Sequence, residues 1–298
     1  MKLDPAVIEE LTFSSGEAAN LEGRSTESTT VTWLNTTGPH GKEVAKDDLR
    51  SFVEDLEASQ ELLWASSSHA LLLILQGMDA AGKDGTIKHV MSGVNPQGCQ
   101  VLAFKQPSAE ELEHDFLWRY REALPERGMI GISNRSYYEE VLVVRVHPEL
   151  LGDMNVDSSA GSAERIWRDR YEDINAFEHH LHRNGTRIVK IFLHVSKEKN
   201  RFLERLGDPS KHWKFSMADL AERGHWDEYQ AAYEETLTAT STPWAPWFIV
   251  PADHKYPLRA LVGGILAHAI DQMDLRSPKL GPDELESLAQ ARAELQAE

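Results

Sequence analysis

The sequence predicts a three-layer α/β fold, a parallel five-stranded sheet flanked by helices. Three observations predict it. From residue 69 onward, short apolar runs alternate with segments of helical periodicity, the order that crossover helices impose on parallel sheets. The central runs are continuously apolar, as strands covered on both faces must be. The first run leads straight into a glycine-rich loop and then a helix.

Taken in chain order, residues 1–45 are rich in Ser, Thr, Gly and Glu and read as an N-terminal arm, extended or partly disordered. A helix follows over "KDDLRSFVEDLEASQELLWAS", with Leu49, Phe52, Val53, Leu56 and Leu62 near helical spacing. "ALLLILQ" is the first strand of the series and "QVLAFKQ" the second. Ser108 and Glu111 form a capping box that opens a helix. "GMIGIS" is the third strand. A long helix from about Glu164 to Asn184, closed by Gly185, precedes the fourth, "RIVKIFLHV". Residues Ser196 to Thr240 carry no strand signal and read as two helices where a lid would sit. "PWFIVPA" is the fifth strand, before an apolar helix near "PLRALVGGILAHAIDQM". The expected organisation is an arm (1–45), one domain (46–276) with a helical lid at about 196–240, and a polar tail (277–298) of no assigned role.

Composition narrows the function classes. With 298 residues, 41% of them hydrophobic, and no run of about 18 apolar residues, neither a membrane span nor a signal peptide is expected. A single cysteine, Cys99, cannot form an internal disulfide, which fits a cytoplasmic protein. The net charge of -17 argues against a nucleic-acid partner and requires any polyanion site to be a local cationic pocket.

"GMDAAGK", Gly77 to Lys83, fits the Walker A pattern G-x-x-x-x-G-K in its required strand-loop-helix setting. The backbone from Gly77 through Ala80, Ala81, Gly82, Lys83, Asp84, Gly85 and Thr86 is then a phosphate cradle, with Lys83 as a point charge. Asp84 stands where most such loops place a hydroxyl ligand for magnesium. The nearby oxygen donors are Asp79, Asp84 and Thr86, and magnesium prefers one or two carboxylates completed by water and substrate phosphates. The third strand ends at Asn134 and Arg135, where phosphoryl-transfer enzymes with this loop usually place a metal-binding acid. Arg201 and Arg205 lie four apart on one expected helix; read alone, they are a solvated face with Glu198 and Glu204, or a clasp over the loop. Trp213, Trp226, Tyr229 and Tyr233 are lid core or a base-stacking wall. Lys88, His89, Arg119, Arg121, Lys211 and Lys214 are surface charges or a polyanion track, and His179 with His182 is a wet helix face rather than a metal site.

Six motifs in order, "LQGMDAAGKDGTIKHV", "NRSYYEEVLVVRVH", "FLHVSKEKNRFLERL", "HWKFSMADLAER", "WDEYQAAYEE" and "TSTPWAPWFIVPADHK", make the sequence resemble the polyphosphate kinase 2 family over about residues 45–275. The resemblance implies a P-loop kinase-like fold with a helical lid, Mg2+ as cofactor, inorganic polyphosphate and a nucleotide as substrates, and a homodimer or homotetramer. It implies roles for Asp79 in metal binding and catalysis, Lys83 in phosphate binding, and Arg135, Arg201 and Arg205 on the transferring phosphates. Asn134 departs from the family's usual aspartate at a metal and nucleotide position. Glu139 resembles the subgroup that accepts both AMP and ADP, and Asn134, Arg135 and Glu139 form the expected nucleotide side. The expectation is a polyphosphate:AMP/ADP phosphotransferase. Its rivals are an ATP-dependent nucleotide or small-metabolite kinase on the same fold, and a catalytically weak polyphosphate-binding regulator that Asn134 would favour.

Overall fold

The computed structural model describes residues 2–27, 39–153, 163–197 and 200–297. Its first helix, α1 (Pro5–Leu11), is started by Pro5 at the first turn and by the Asp4 carboxylate, which accepts from the Ala6 N–H at 2.9 Å. It runs into β1 (Thr12–Phe13), and α2 (Pro39–Ser66) follows. The phosphate-loop unit is β2 (Ala70–Gly77), the loop, and α3 (Lys83–Val90). Then come β3 (Cys99–Ala103), the short α4 (Ala109–Leu112) with the anticipated capping box, and α5 (Trp118–Arg121). β4 (Ile130–Asn134) leads to α6 (Glu139–Val146), α7 (Leu150–Asp153) and α8 (Ala163–Arg183). β5 (Thr186–His194) leads to α9 (Asn200–Gly207), α10 (Met217–Glu222) and α11 (Trp226–Thr240), and β6 (Trp247–Pro251) to α12 (Lys255–Asp271) and α13 (Pro282–Ala297).

The sheet order is β1-β6-β5-β2-β4-β3, parallel throughout except for the antiparallel β1. All eight residues of β2 are buried, as the continuous apolar run required. α2, α3 and α12 pack together on one side, and α6, α8 and α11 pack together on the other. Because β2, β4, β5 and β6 run parallel, their carboxyl ends share one edge, with β2 at the point where chain order turns from β4 and β3 to β5 and β6. That crevice is where open α/β sheets bind ligands.

Two features differ from the sequence expectation. The sheet has six strands rather than five, because the segment read as an arm supplies β1. Leu3, Val7, Leu11, Phe13, Ala19 and Leu21 are buried. Glu234 on α11 accepts the backbone N–H of Asn20 and, at 2.7 Å, of Leu21, while Thr238 accepts that of Ala19 at 3.1 Å. The strap then crosses the carboxyl edge, where Asp253 N–H donates to the Thr26 carbonyl at 3.1 Å and the His194 ring bonds the Arg24 carbonyl at 3.2 Å. The second difference lies in the lid. α11 buries Tyr229, Ala232, Tyr233, Thr236, Leu237 and Thr240, so it belongs to the core, and α9, α10 and intervening 3-10 turns make up the exposed cover.

A buried ionic knot fixes the start of α6 beside the crevice. The Lys190 ammonium donates to Glu178 at 2.7 Å, the Tyr138 hydroxyl at 3.0 Å and the Thr240 carbonyl at 2.6 Å. The Tyr137 and Tyr138 hydroxyls donate to the other Glu178 oxygen at 2.9 and 2.8 Å. All three ammonium protons and both carboxylate oxygens of the pair have partners, the condition under which a buried charge is tolerable.

Candidate active site

The loop after β2 is shaped by residues with positive φ: Gly77 at 153°, Ala80 at 63° and Gly82 at 105°. A side chain on Gly77 would stand 3.0 Å from both the Leu193 Cβ and its carbonyl oxygen, so only glycine lets the loop leave the sheet here. The Lys83 ammonium folds back to donate to the Gly77 carbonyl, closing the loop on itself. Desolvation pushes the Lys83 pKa down, and the carboxylates of Asp79 and Glu139 oppose that shift. Lys83 therefore sits in the field of both acids with the first-turn amides of α3 beside it.

At the end of β4 the Asn134 amide donates to the Asp84 carboxylate at 2.8 Å. The asparagine thus holds the unusual aspartate of the loop, and it is the Asn134 carbonyl oxygen that is left for a ligand. Arg135 follows with a left-handed φ of 71° and an exposed side chain. Glu139, the first residue of α6, accepts from the Gln76 amide at 3.1 Å, while the Gln76 carbonyl accepts from Tyr233 at 3.4 Å.

These groups border a cavity of about 280 Å³. Asp79, Lys83, Arg135 and Glu139 all line it, together with Gly77. Asn134 and Asp84 are not among its lining residues, though each directly adjoins one in sequence, Arg135 and Lys83. Ala80, Ala81, Gly82 and Gly85, the other residues of the expected cradle, are outside the cavity lining, and the Thr86 hydroxyl is buried without a hydrogen-bond partner among the described residues. Arg201 and Arg205 fall on α9, whose Phe202 lines the cavity; their side chains lie outside the described residues.

The far wall comprises Trp226, Tyr229 and Tyr233 of α11, three of the four aromatics that the sequence left open between lid core and base-stacking wall, with Glu222 at the end of α10 and Arg223 just past it, which the sequence did not single out. The Tyr229 hydroxyl donates to Glu222 at 2.8 Å, and His147, just past α6, meets the same carboxylate at 3.0 Å. The Arg223 guanidinium donates to the Lys197 carbonyl and stands over the rings of Phe202 at 5.6 Å and Trp226 at 6.0 Å. The motif "HWKFSMADLAER" contained Arg223, but a lone arginine ending a polar helix carries no distinguishing signal. Trp213 is 79% exposed and outside the cavity lining. Arg119, considered as part of a polyanion track, is buried against Glu111 at 3.4 Å and donates to the Lys105 carbonyl at 2.7 Å. His179 stacks on Trp244 at 4.3 Å.

Among the described residues no three His, Cys, Asp or Glu side chains gather as a metal cage. The donors at the loop are the Asp79 and Asp84 carboxylates and the Asn134 carbonyl. That set fits a hard cation such as magnesium, which takes few protein ligands and completes its shell with water and phosphate oxygens.

A parallel sheet with a glycine-rich loop at its switch point, a lysine closing that loop, and a helical cover defines a P-loop phosphotransferase. Residues 40–278 match the model of the family described as Polyphosphate kinase 2, and the chain belongs to that family. An ADP-polyphosphate phosphotransferase of Rhodopseudomonas palustris is 52% identical over 256 residues, 85% of this chain and 89% of the relative. An AMP/ADP-polyphosphate phosphotransferase of Meiothermus ruber is 42% identical over 241 residues, 80% of this chain and 86% of the relative. The crystal structure of polyphosphate kinase 2 from Arthrobacter aurescens TC1 superposes with a TM-score of 0.84 at 40% identity, covering 96% of each chain. Among the described residues no helix is long and apolar enough to cross a membrane.

Proposed function

We propose that the chain transfers phosphoryl groups reversibly between inorganic polyphosphate and AMP or ADP, with Mg2+ as cofactor. The observation that carries this reading is the gathering of Lys83, Asp79, Arg135 and Glu139 in one cavity below an aromatic wall. The names of the two curated relatives, which cover most of the chain, support the substrate pair.

In the transfer, a terminal phosphate oxygen of the nucleotide attacks the end phosphorus of polyphosphate. The new O–P bond forms as the bridging O–P bond breaks, and polyphosphate leaves one unit shorter. Such a reaction asks the protein for alignment and charge neutralisation rather than for a nucleophile. The loop amides and Lys83 hold the donor phosphates. Arg135, Arg201 and Arg205 neutralise the charge spread over the transferred group. Glu139, held by Gln76, orients the acceptor, with Asn134 and Arg135 on the nucleotide side and Trp226, Tyr229 and Tyr233 facing its base. Asp79 and the Asn134 carbonyl, with Asp84 adjacent, hold Mg2+, which when bound screens the phosphate oxygens from these carboxylates. Residues 46–276 are the catalytic unit, working in the cytoplasm as a homodimer or homotetramer.

The test is a coupled assay with magnesium and long-chain polyphosphate, offering AMP, ADP and GDP separately. ADP from AMP and ATP from ADP is the expected result. Turnover with ATP as donor but none with polyphosphate would replace the reading with a conventional kinase, and polyphosphate binding without product would replace it with a regulator.

A further inference from the structure

Glu139 shares its cavity with two cations, Lys83 and Arg135. Opposite charges confined in one partly buried space attract, and the ordinary outcome is an ion pair. Here none forms. Among the described residues neither Lys83 nor Arg135 pairs with a carboxylate, and the Lys83 ammonium donates to the Gly77 carbonyl instead. Lys83 feels the neighbouring charges all the same. Burial is the largest influence on its pKa and lowers it, while Asp79 and Glu139 raise it and Arg135 lowers it. Glu139 is therefore close enough to act on Lys83 and is held off it.

The holder is Gln76, the last residue of β2 before Gly77 and only 1% exposed. Its amide nitrogen donates to Glu139 at 3.1 Å and to the Ser136 hydroxyl at 3.3 Å, and its carbonyl accepts from the Tyr233 hydroxyl at 3.4 Å. The neighbours set which way the amide points. A carboxylate can only accept, so the NH2 group faces Glu139 and the carbonyl faces Tyr233. Ser136 also accepts from the Tyr138 N–H at 3.3 Å, which pins the arrangement to the turn between β4 and α6. A buried amide in the otherwise apolar run "ALLLILQG" is costly unless its bonds are made. Here they are made, and they fix where one carboxylate stands.

We infer that Gln76 is a positioning residue that keeps the Glu139 carboxylate off Lys83 and Arg135, so that both cations stay available to phosphate in the free protein. The inference rests on the proposed roles of Lys83 and Arg135 in holding phosphate. Gln76 touches no substrate in this role. Without it Glu139 is free to turn toward the cations, and an arriving polyanion must first break that pair. The binding-competent form is then a smaller fraction of the free protein, and the apparent affinity falls by that fraction. A neutral amide does this without adding charge to a site that must admit a polyanion.

The experiment titrates inorganic tripolyphosphate into the protein by calorimetry in magnesium buffer. Gln76→Leu removes the amide and suits the apolar strand, whereas Gln76→Asn keeps the amide and shortens it by one methylene. Circular dichroism and a thermal melt establish that each variant folds. In both, Kd for tripolyphosphate is expected to rise about fivefold or more, the loss that follows when about four-fifths of the free molecules carry the misdirected pair. In a Glu139→Gln background the same substitutions should change Kd by less than twofold, since no carboxylate remains to collapse. A role confined to packing would cost the same in both backgrounds. An unchanged Kd in the Gln76 variants, or an equal loss with Glu139→Gln present, overturns the inference and leaves the proposed function intact. A wild type that binds tripolyphosphate but transfers nothing from polyphosphate overturns the proposed function, while the Kd series still decides the role of Gln76. A wild type that binds no tripolyphosphate overturns both.

Discussion

Lys83 is the residue whose loss should separate chemistry from folding. Its ammonium closes the loop on the Gly77 carbonyl and stands within the field of Asp79 and Glu139. Lys83→Ala is expected to lower kcat by about 100-fold or more, the scale for losing one preorganised charge at a transferring group, with the far-ultraviolet circular dichroism unchanged. Turnover within a few-fold of wild type would remove it from the mechanism. Asn134 gives a second residue-scale prediction. Asn134→Asp exchanges a 2.8 Å donor to Asp84 for a facing carboxylate. In EDTA the variant should lose roughly 1 kcal/mol of stability, the worth of that bond, and regain it as magnesium is added. Thermal melts with and without magnesium decide it, and a metal-independent melting temperature would show that the two side chains do not share a cation. The loop was legible in the sequence because glycine spacing and the lysine are local signals. Gln76 was not: it is one more residue of a strand, and its partner Glu139 lies 63 positions away.

At the scale of elements, α10 is tied to the body through Glu222, which meets His147 after α6 and Tyr229 on α11. The hydrogen bond to Glu222 raises the His147 pKa above 6.5, with Glu149 adding to the effect. Burial works against the shift at Glu222, but the bonds from His147 and Tyr229 leave its pKa below 4.5. A raised imidazole contributes stability fully below 6.5 and loses it as pH rises through the raised value. A lowered carboxyl contributes fully above 4.5 and loses it as pH falls through the lowered value. The tie should be strongest between pH 4.5 and 6.5 and should weaken above that window. Hydrogen exchange of the α10 amides, corrected for intrinsic rate, is expected to accelerate on going from pH 6 to 8.5 in wild type and to be flat in His147→Gln; equal pH dependence in both would dismiss the tie. The helical character of this region was legible from the absence of any strand pattern. Its division was not, because α11 carries its buried Tyr229, Tyr233 and Leu237 in the same aromatic-rich composition an exposed lid would show.

Across the whole molecule, strand content and order of elements followed from the apolar runs, since continuous burial leaves few other arrangements. Two features escaped: β1, hidden in a Ser- and Thr-rich stretch, and the Lys190 to Glu178 pair, whose lysine sits inside the apolar run "RIVKIFLHV". Lys190 is fully buried and joins β5, α8, α6 and α11 in one network. Lys190→Met should cost about 3–5 kcal/mol by leaving Glu178 uncompensated, and adding Glu178→Leu should recover much of it. Denaturant melts of the two variants test this, and a single variant as stable as wild type would contradict the network's role.

The strap of residues 3–27 also bears on how the protein is made. Thr12 and Phe13 find their partners Phe248 and Trp247 more than two hundred residues later in the chain. A ribosome adding 5–20 residues per second needs about 10–50 s to supply that partner strand. During that interval Leu3, Val7, Leu11 and Phe13 have been synthesised but have nothing to cover them. A segment made more than two hundred residues before its partner strand is therefore among the last to dock, and it leaves the nascent chain with an uncovered apolar stretch throughout that interval.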